Sequence, residues 1–328
     1  MEKVSFIYLS QEDVVSLNLG LHLSINIIEK TFKEHAQKQV EIPPKPGIHP
    51  QEGSFIHAMP AYLKDSKICG IKWVTGFPGN RKLNLPQILG ILILNDIETG
   101  LPIAVMDCRW ITAVRTGAVT AITAKYCAKK NSDVLGIIGA GIQARYQLKL
   151  IEVAMPFLRE LIIFDINTDV SQQFLKDMES QTKLKIRIGK SLQETVENSD
   201  IIITATQRMK EPIIKDEWFK AGSLGCPLES GWAWEKETIE GVNKFITDDY
   251  NQMKNFASQG AIKGNFKLYA EVGEIVAGKK KGRENDKERI LAINEGLAIF
   301  DIALANQIYL KAKKENKGQT LTLMESNI

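Results

Sequence analysis

A short glycine-rich run, Gly139-Ala140-Gly141-Ile142-Gln143-Ala144, follows directly on the apolar stretch Val134-Leu135-Gly136-Ile137-Ile138. A strand that feeds such a turn, with a helix opening behind it, presents backbone N–H groups and the positive end of a helix to a pyrophosphate. Gly139 permits the tight turn, Gly141 lets the backbone approach the phosphates, and Ala144 lets helix and strand pack closely. Asp165 ends the next apolar stretch, Leu161-Ile162-Ile163-Phe164, where a carboxylate can accept hydrogen bonds from the adenosine ribose hydroxyls. That carboxylate repels a 2′-phosphate, and Ile166-Asn167-Thr168 supply no Arg to offset it, so NAD is expected rather than NADP. A structural turn with a capping Asp is the plainer alternative.

The remaining composition narrows the chemistry. The four cysteines, Cys69, Cys108, Cys127 and Cys226, form no CxxC pair, so buried free thiols are expected rather than disulfides or a zinc site. The four histidines, His22, His35, His49 and His57, lack the i, i+4 spacing of a helical metal site, and no metal is expected. A net charge of +3 over 328 residues is near balance. The basic run Lys279-Lys280-Lys281-Gly282-Arg283 leads straight to Glu284 and Asp286 and reads as a solvated loop, so no nucleic-acid partner is expected. Apolar runs fall short of the roughly 18 residues that span a bilayer. The start, Met1-Glu2-Lys3-Val4-Ser5, lacks a signal peptide's apolar core, and the expectation is a cytoplasmic protein with no membrane partner.

Holding the glycine turn requires a βαβ unit, and the pattern from Asp133 onward predicts one. Strands are expected at 134–138, 161–164, 185–188 and 201–204, with helices at 146–158, about 170–181 and 192–198 between them. Such alternation predicts a parallel sheet covered on both faces. Upstream, apolar residues at helical spacing (Val14, Leu17, Leu19, Leu21, Ile25, Ile28) predict one helix from Ser10 to about Lys38, with Ser10 as its N-cap. A proline-rich stretch at 41–50 precedes short strands expected at 54–62, 68–75, 87–95 and 101–107, which suggest an antiparallel sheet. The stretch 112–127 reads as a helix leading out of it. A final long helix, about 288–314, is expected to return to the antiparallel part, so that both ends of the chain build it.

Beyond these elements, several segments resemble the signatures of the ornithine cyclodeaminase and mu-crystallin family. They are Thr112-Ala113-Val114-Arg115-Thr116-Gly117-Ala118, the turn from Gly139 to Arg145, Gly273-Glu274-Ile275-Val276-Ala277-Gly278 with Gly282-Arg283, and Gly296-Leu297-Ala298-Ile299-Phe300-Asp301. The resemblance implies an α/β chain, a Rossmann NAD-binding domain over 121–300 plus an α+β substrate and dimerisation domain over 1–120 completed by about 301–328. It implies a homodimer acting on a small amino acid or imine. It adds Thr112, Thr204 and Thr206 to Gly139, Gly141, Ile142, Gln143, Ala144 and Asp165 as cofactor contacts.

Such chemistry needs cations at the substrate carboxylate, for which a bidentate Arg is the best geometric match. Arg115 is the first choice. By resemblance Lys72 lies in the same pocket, where it could bind the carboxylate and assist proton transfer with a lowered pKa. Lys45 stands where many relatives have Arg. Glu274 and Asp301 read as structural partners. The family's proton-handling Asp has no plain counterpart in Gly222-Ser223-Leu224-Gly225-Cys226-Pro227-Leu228-Glu229-Ser230-Gly231-Trp232: one alignment puts Gly225 in its slot and a shifted one offers Glu229 as base. Trp232 and Trp234 read as core packing. The resemblance therefore implies an NAD-dependent cyclodeaminase-like enzyme that oxidises an α-amino acid to an imine with ammonia release. The alternatives are an amino-acid dehydrogenase or imine reductase without cyclisation, and a non-catalytic binding protein on the same fold.

Overall fold

The computed structural model describes residues 3–258, 260, 262 and 264–325. The chain divides into two units: one runs to Arg115 and resumes at Leu297, and the other extends from Thr116 to Gly296. The boundary after Arg115 falls inside the helix Arg109–Cys127.

The second unit is built on eight strands, all paired in parallel. Their spatial order is Lys185–Ile188, Glu160–Phe164, Val134–Ile138, Ile201–Thr204, Leu224–Pro227, Ile290–Ile293, Lys244–Thr247 and Leu268–Glu271. Chain order reverses on either side of Val134–Ile138, whose neighbours are Glu160–Phe164 and Ile201–Thr204; the crevice at the carboxyl ends of strands at such a reversal is where open α/β sheets bind ligands. The four central strands from Ile201 onward are buried at every position, as parallel strands covered on both faces must be. The helix expected at 146–158 is Ile142–Ala154, so it opens immediately after Gly141. The expected helix at 288–314 is instead two elements, the buried strand Ile290–Ile293 and the helix Ala298–Glu315. Gly296, at φ +75°, turns the chain between them. The strands at 224–227, 244–247 and 268–271 escape sequence reading because Leu-Gly-Cys-Pro, Lys-Phe-Ile-Thr and Leu-Tyr-Ala-Glu lack the unbroken apolar run of Ile201-Ile202-Ile203, and 290–293 falls within the stretch expected as the final helix.

Arg283 departs from the expectation of a solvated loop: its Nε donates to Cys127 O at 2.7 Å and its Nη1 to Glu288 O at 2.6 Å.

The first unit carries a sheet ordered Gln319–Met324, Val4–Leu9, Pro102–Asp107, Ile88–Asn95, Ile68–Gly76, Phe55–Leu63 and Val40–Glu41, with Gly47–Ile48 also paired to Phe55–Leu63. The proline-rich stretch thus contributes two short edge strands. All neighbours are antiparallel except Val4–Leu9 and Pro102–Asp107, which run parallel, a departure from the purely antiparallel expectation. The single helix expected from Ser10 is two, Gln11–Ser16 and Leu21–Ala36, broken where Asn18 and Gly20 take φ of +41° and +78°. Ser10 does cap the first, in a reciprocal capping box with Asp13.

Helix Ala298–Glu315 packs on the strands Phe55–Leu63, Ile68–Gly76 and Ile88–Asn95 and beside helix Leu21–Ala36, where the rings of Phe32 and Phe300 meet at 4.6 Å. The covered face of the sheet presents Met59, Leu63, Val74, Leu92, Leu94 and Met106, all buried. The opposite face leaves Trp73 and Ile91 43% and 44% exposed. Among the described residues no helix is long and apolar enough to cross a membrane.

Candidate functional site

The glycine corner lies at the strand-order reversal of the second unit. Gly139 takes φ +93°, and a Cβ there would stand 2.6 Å from Ala205 O, so both backbone conformation and close approach demand glycine. Gly141 meets the opposite condition: nothing lies within 4 Å of where its Cβ would be. That open space beside an exposed backbone is what a phosphate requires. No side chain caps the helix Ile142–Ala154, so its first N–H groups are not spent inside the protein. Ala144 is fully buried against the sheet, and the Oγ1 of Thr206 and Oε1 of Gln143 are buried polar atoms without hydrogen-bond partners among the described residues. Asp165 is fixed at its strand end by Ala140 N–H on Oδ2 at 2.9 Å and Asn167 N–H on Oδ1 at 3.0 Å. Each carboxylate oxygen keeps acceptor capacity for a sugar hydroxyl. The neighbouring Ile166 side chain is 96% exposed. Arg145 braces the turn through Nη1 to Ala140 O at 2.8 Å and pairs with Asp177. An uncapped helix start, an open Gly141 and unpaired polar atoms fit a dinucleotide.

At the carboxyl end of the same sheet, Glu229 Oε1 accepts a hydrogen bond from Thr204 Oγ1 at 2.9 Å, and that hydroxyl accepts one from Trp234 Nε1 at 2.9 Å. The other carboxylate oxygen, Oε2, is buried without a hydrogen-bond partner among the described residues. Burial pushes the Glu229 carboxyl up to about 7, against the lowering effect of the Thr204 hydroxyl. The loop is fixed beside it: Ser230, at φ +56°, donates to Glu295 Oε2 at 2.6 Å, and buried Asp248 accepts the N–H groups of Glu295 and Gly296 at 2.9 and 2.7 Å. Gly225 is not a vacant acid slot. A Cβ on it would lie 2.7 Å from both the Trp234 ring and Leu291 Cδ1, so the indole fills the space a side chain would need.

A cation cluster occupies the covered face of the first unit. Lys72, in the middle of strand Ile68–Gly76 and flanked in register by Met59 and Leu92, is fully buried. Its Nζ donates to Asp301 Oδ2 at 2.7 Å, and Arg115 Nε donates to Asp301 Oδ1 at 3.3 Å. Burial lowers the Lys72 amine to about 8, with Asp301 raising it and Arg115 lowering it further. Cys108 adjoins the group, its thiol pushed up to about 11 by burial. His57, stacked on Phe55 at 4.5 Å, is lowered to about 4 by burial, then by the charges of Lys45, His49 and Lys72.

A model of the ornithine cyclodeaminase/mu-crystallin family matches residues 6–316. The chain belongs to that family. Within the family, a nodulation efficiency protein of Rhizobium meliloti is 35% identical over 314 residues, covering 95% of this chain and 97% of the relative. The solved Δ1-pyrroline-2-carboxylate reductase of Thermococcus litoralis, in complex with NADH and L-proline, is 33% identical with a TM-score of 0.87 and covers 96% and 99% of the two chains. An archaeal alanine dehydrogenase dimer with bound NAD is 32% identical with a TM-score of 0.88 and covers 98% and 100%.

In this member of the ornithine cyclodeaminase/mu-crystallin family, Gly139, Gly141, Ile142, Gln143, Ala144, Asp165 and Thr206 form one corner, and Thr204 is tied to Glu229. Lys72 and Arg115 are joined through Asp301, and the charge of Lys45 reaches the same His57 that Lys72 acts on. Thr112, expected at the cofactor, lies in the first unit one helical turn from Cys108, whose carbonyl accepts its N–H at 2.8 Å. Of the two tryptophans, Trp234 is core, edge-on to Phe219 at 5.2 Å, while Trp232 receives the Arg208 guanidinium 3.9 Å over its ring. Sequence reasoning missed the place of Asp301 between the cations, and of Cys108 and His57 beside them. The available signal for Asp301 was a lone acid within the otherwise apolar run Ala298–Ala305, which calls for a buried partner.

Proposed function

We propose that the protein is an NAD-dependent oxidoreductase acting on the C–N bond of a small α-amino acid or the corresponding imine. One observation carries this reading: Lys72 and Arg115 share a single carboxylate, so the buried cluster holds one positive charge in excess. An uncompensated buried charge is costly, and a ligand carboxylate offsets it. Arg115 pairs with Asp301 through Nε, which does not use its terminal N–H groups, and Lys72 keeps two further donors. Lys45 supplies a third cation from the proline-rich loop.

The second unit carries the residues for the nucleotide. Its glycine corner would hold the pyrophosphate of NAD, and Asp165 the adenosine ribose. NAD held there would supply the hydride acceptor for oxidation at the substrate Cα and, reduced, the donor for the reverse. Glu229 is the base that takes the amine proton during oxidation and the acid that gives it back during reduction. Thr204 and Trp234 orient that carboxylate. Dehydrogenation or imine reduction is the first reading, supported by the reductase and dehydrogenase named above, both above 30% identity. Cyclodeamination, first in the sequence expectation, uses the same groups. A homodimer is part of the reading, supported by the half-exposed apolar sheet face around Trp73 and Ile91.

The test is incubation of the purified protein with NAD and a panel of small amino acids, and with NADH and cyclic imines. Ammonia with NADH accumulation, or imine-dependent NADH loss, is expected. Ammonia without net NADH identifies cyclodeamination, and cofactor binding without turnover overturns the enzymatic reading.

A further inference from the structure

Asp301 is not consumed by the chemistry above. It stands in the first turn of helix Ala298–Glu315, fully buried, and each of its oxygens faces one cation. Lys72 comes from the strand Ile68–Gly76 and Arg115 from the helix Arg109–Cys127, so their spacing is set through the carboxylate between them.

We propose that Asp301 is a positioning residue that holds Lys72 and Arg115 at the spacing of one carboxylate, keeps Lys72 charged for substrate binding, and thereby sets the upper pH limit of activity. The role in activity rests on the carboxylate-binding reading; the effect on Lys72 does not. The groups around the amine leave Asp301 as its balancing anion. Arg115 is a second cation. Cys108, with Asp107 acting on it from the adjoining strand end, is a neutral thiol below about 11. His57 is neutral above about 4, and Lys45 beyond it is another cation. Met59 and Leu92 flank the lysine with no charge at all. Burial already draws the amine down to about 8. Without the Asp301 charge, desolvation and Arg115 act unopposed, and removing an opposite charge at hydrogen-bond distance moves a pKa by about one unit or more.

The variant is Asp301→Asn, which keeps shape and removes charge. The basic limb of its kcat/KM profile is expected about one pH unit or more to the acid side of wild type. Its KM penalty is expected to grow between about pH 6 and 9, with kcat changed much less. A penalty constant across pH, as lost packing alone would give, overturns the proposal. A second readout needs no substrate: NMR titration of Lys72 in lysine-labelled protein, its signal assigned by loss in Lys72→Met. The midpoint should fall in Asp301→Asn, and an unmoved midpoint overturns the proposal even if the panel assay supports the enzymatic reading. Should the Asn variant fail to fold, Arg115→Gln serves, because Asp301 is then left to Lys72 alone. The Lys72 midpoint should rise, and a fall or no change overturns the shared-carboxylate arrangement.

Discussion

Desolvation holds the Glu229 carboxyl at about 7, where an ordinary glutamate loses its proton near 4.5. The folded protein therefore binds that proton more tightly than the unfolded chain. This favours folding fully below about pH 4.5, and the contribution is lost as the pH rises through about 7. Glu229→Gln should accordingly raise the melting temperature more at about pH 8 than at about pH 5, by a difference worth about 3 kcal/mol at most. Thermal denaturation at the two pH values measures it, and an equal shift at both would mean the carboxyl is solvated. In the proposed reaction, oxidation needs ionised Glu229 and charged Lys72, giving a bell between about 7 and about 8. Reduction needs protonated Glu229 and should fall as the pH rises through about 7. At this scale the sequence was legible where a residue type announces itself, as with a lysine inside an apolar strand or glycines behind one. The choice between Gly225 and Glu229 was not legible, because it turns on the ring of Trp234, nine residues along the chain from Gly225 but packed against it.

The strand Leu224–Pro227 shows what an element must satisfy to serve a site at its end. Gly225 pairs in register with Ile202 on one side and Leu291 on the other, and Trp234 covers it. Gly225→Ala should therefore cost about 1–3 kcal/mol, since neither a ring nor a paired strand can yield easily. Chemical denaturation tests this, and a loss below about 0.5 kcal/mol would mean the pocket is loose. Elements with a strong period or a single apolar run were readable to within a few residues, among them Val134–Ile138 and Ile68–Gly76. The failures have a common cause in local breaks. Gly296 and Gly20 interrupt stretches whose apolar spacing alone continues as a helix, and Gly, Pro or Lys breaks the apolar run of the buried strands Leu224–Pro227 and Lys244–Thr247.

Taken as a whole molecule, the first unit buries one face of its sheet under Ala298–Glu315 and leaves Trp73 and Ile91 half-exposed on the other. Monomeric proteins rarely leave such a face to water. Trp73→Glu should convert the proposed dimer to monomer in sedimentation velocity while leaving the far-ultraviolet spectrum intact. A wild-type protein that sediments as a monomer would remove the premise. The first unit is built from Met1–Arg115 and Leu297–Ile328, and the helical and strand patterns of those two ends sit outside the regular alternation between them. The pairing of Val4–Leu9 with Gln319–Met324 was not legible in the sequence, because an edge strand exposed throughout carries no inward period.

This pairing of early and late residues has a consequence during synthesis. On the ribosome the stretch from Thr116 to Gly296 can complete its parallel sheet as soon as it emerges. The earlier segment must wait for the residues after Leu297, and until they arrive Lys72 has no Asp301 to meet. The second unit can therefore finish first, and the first unit is completed only once the residues after Leu297 have emerged.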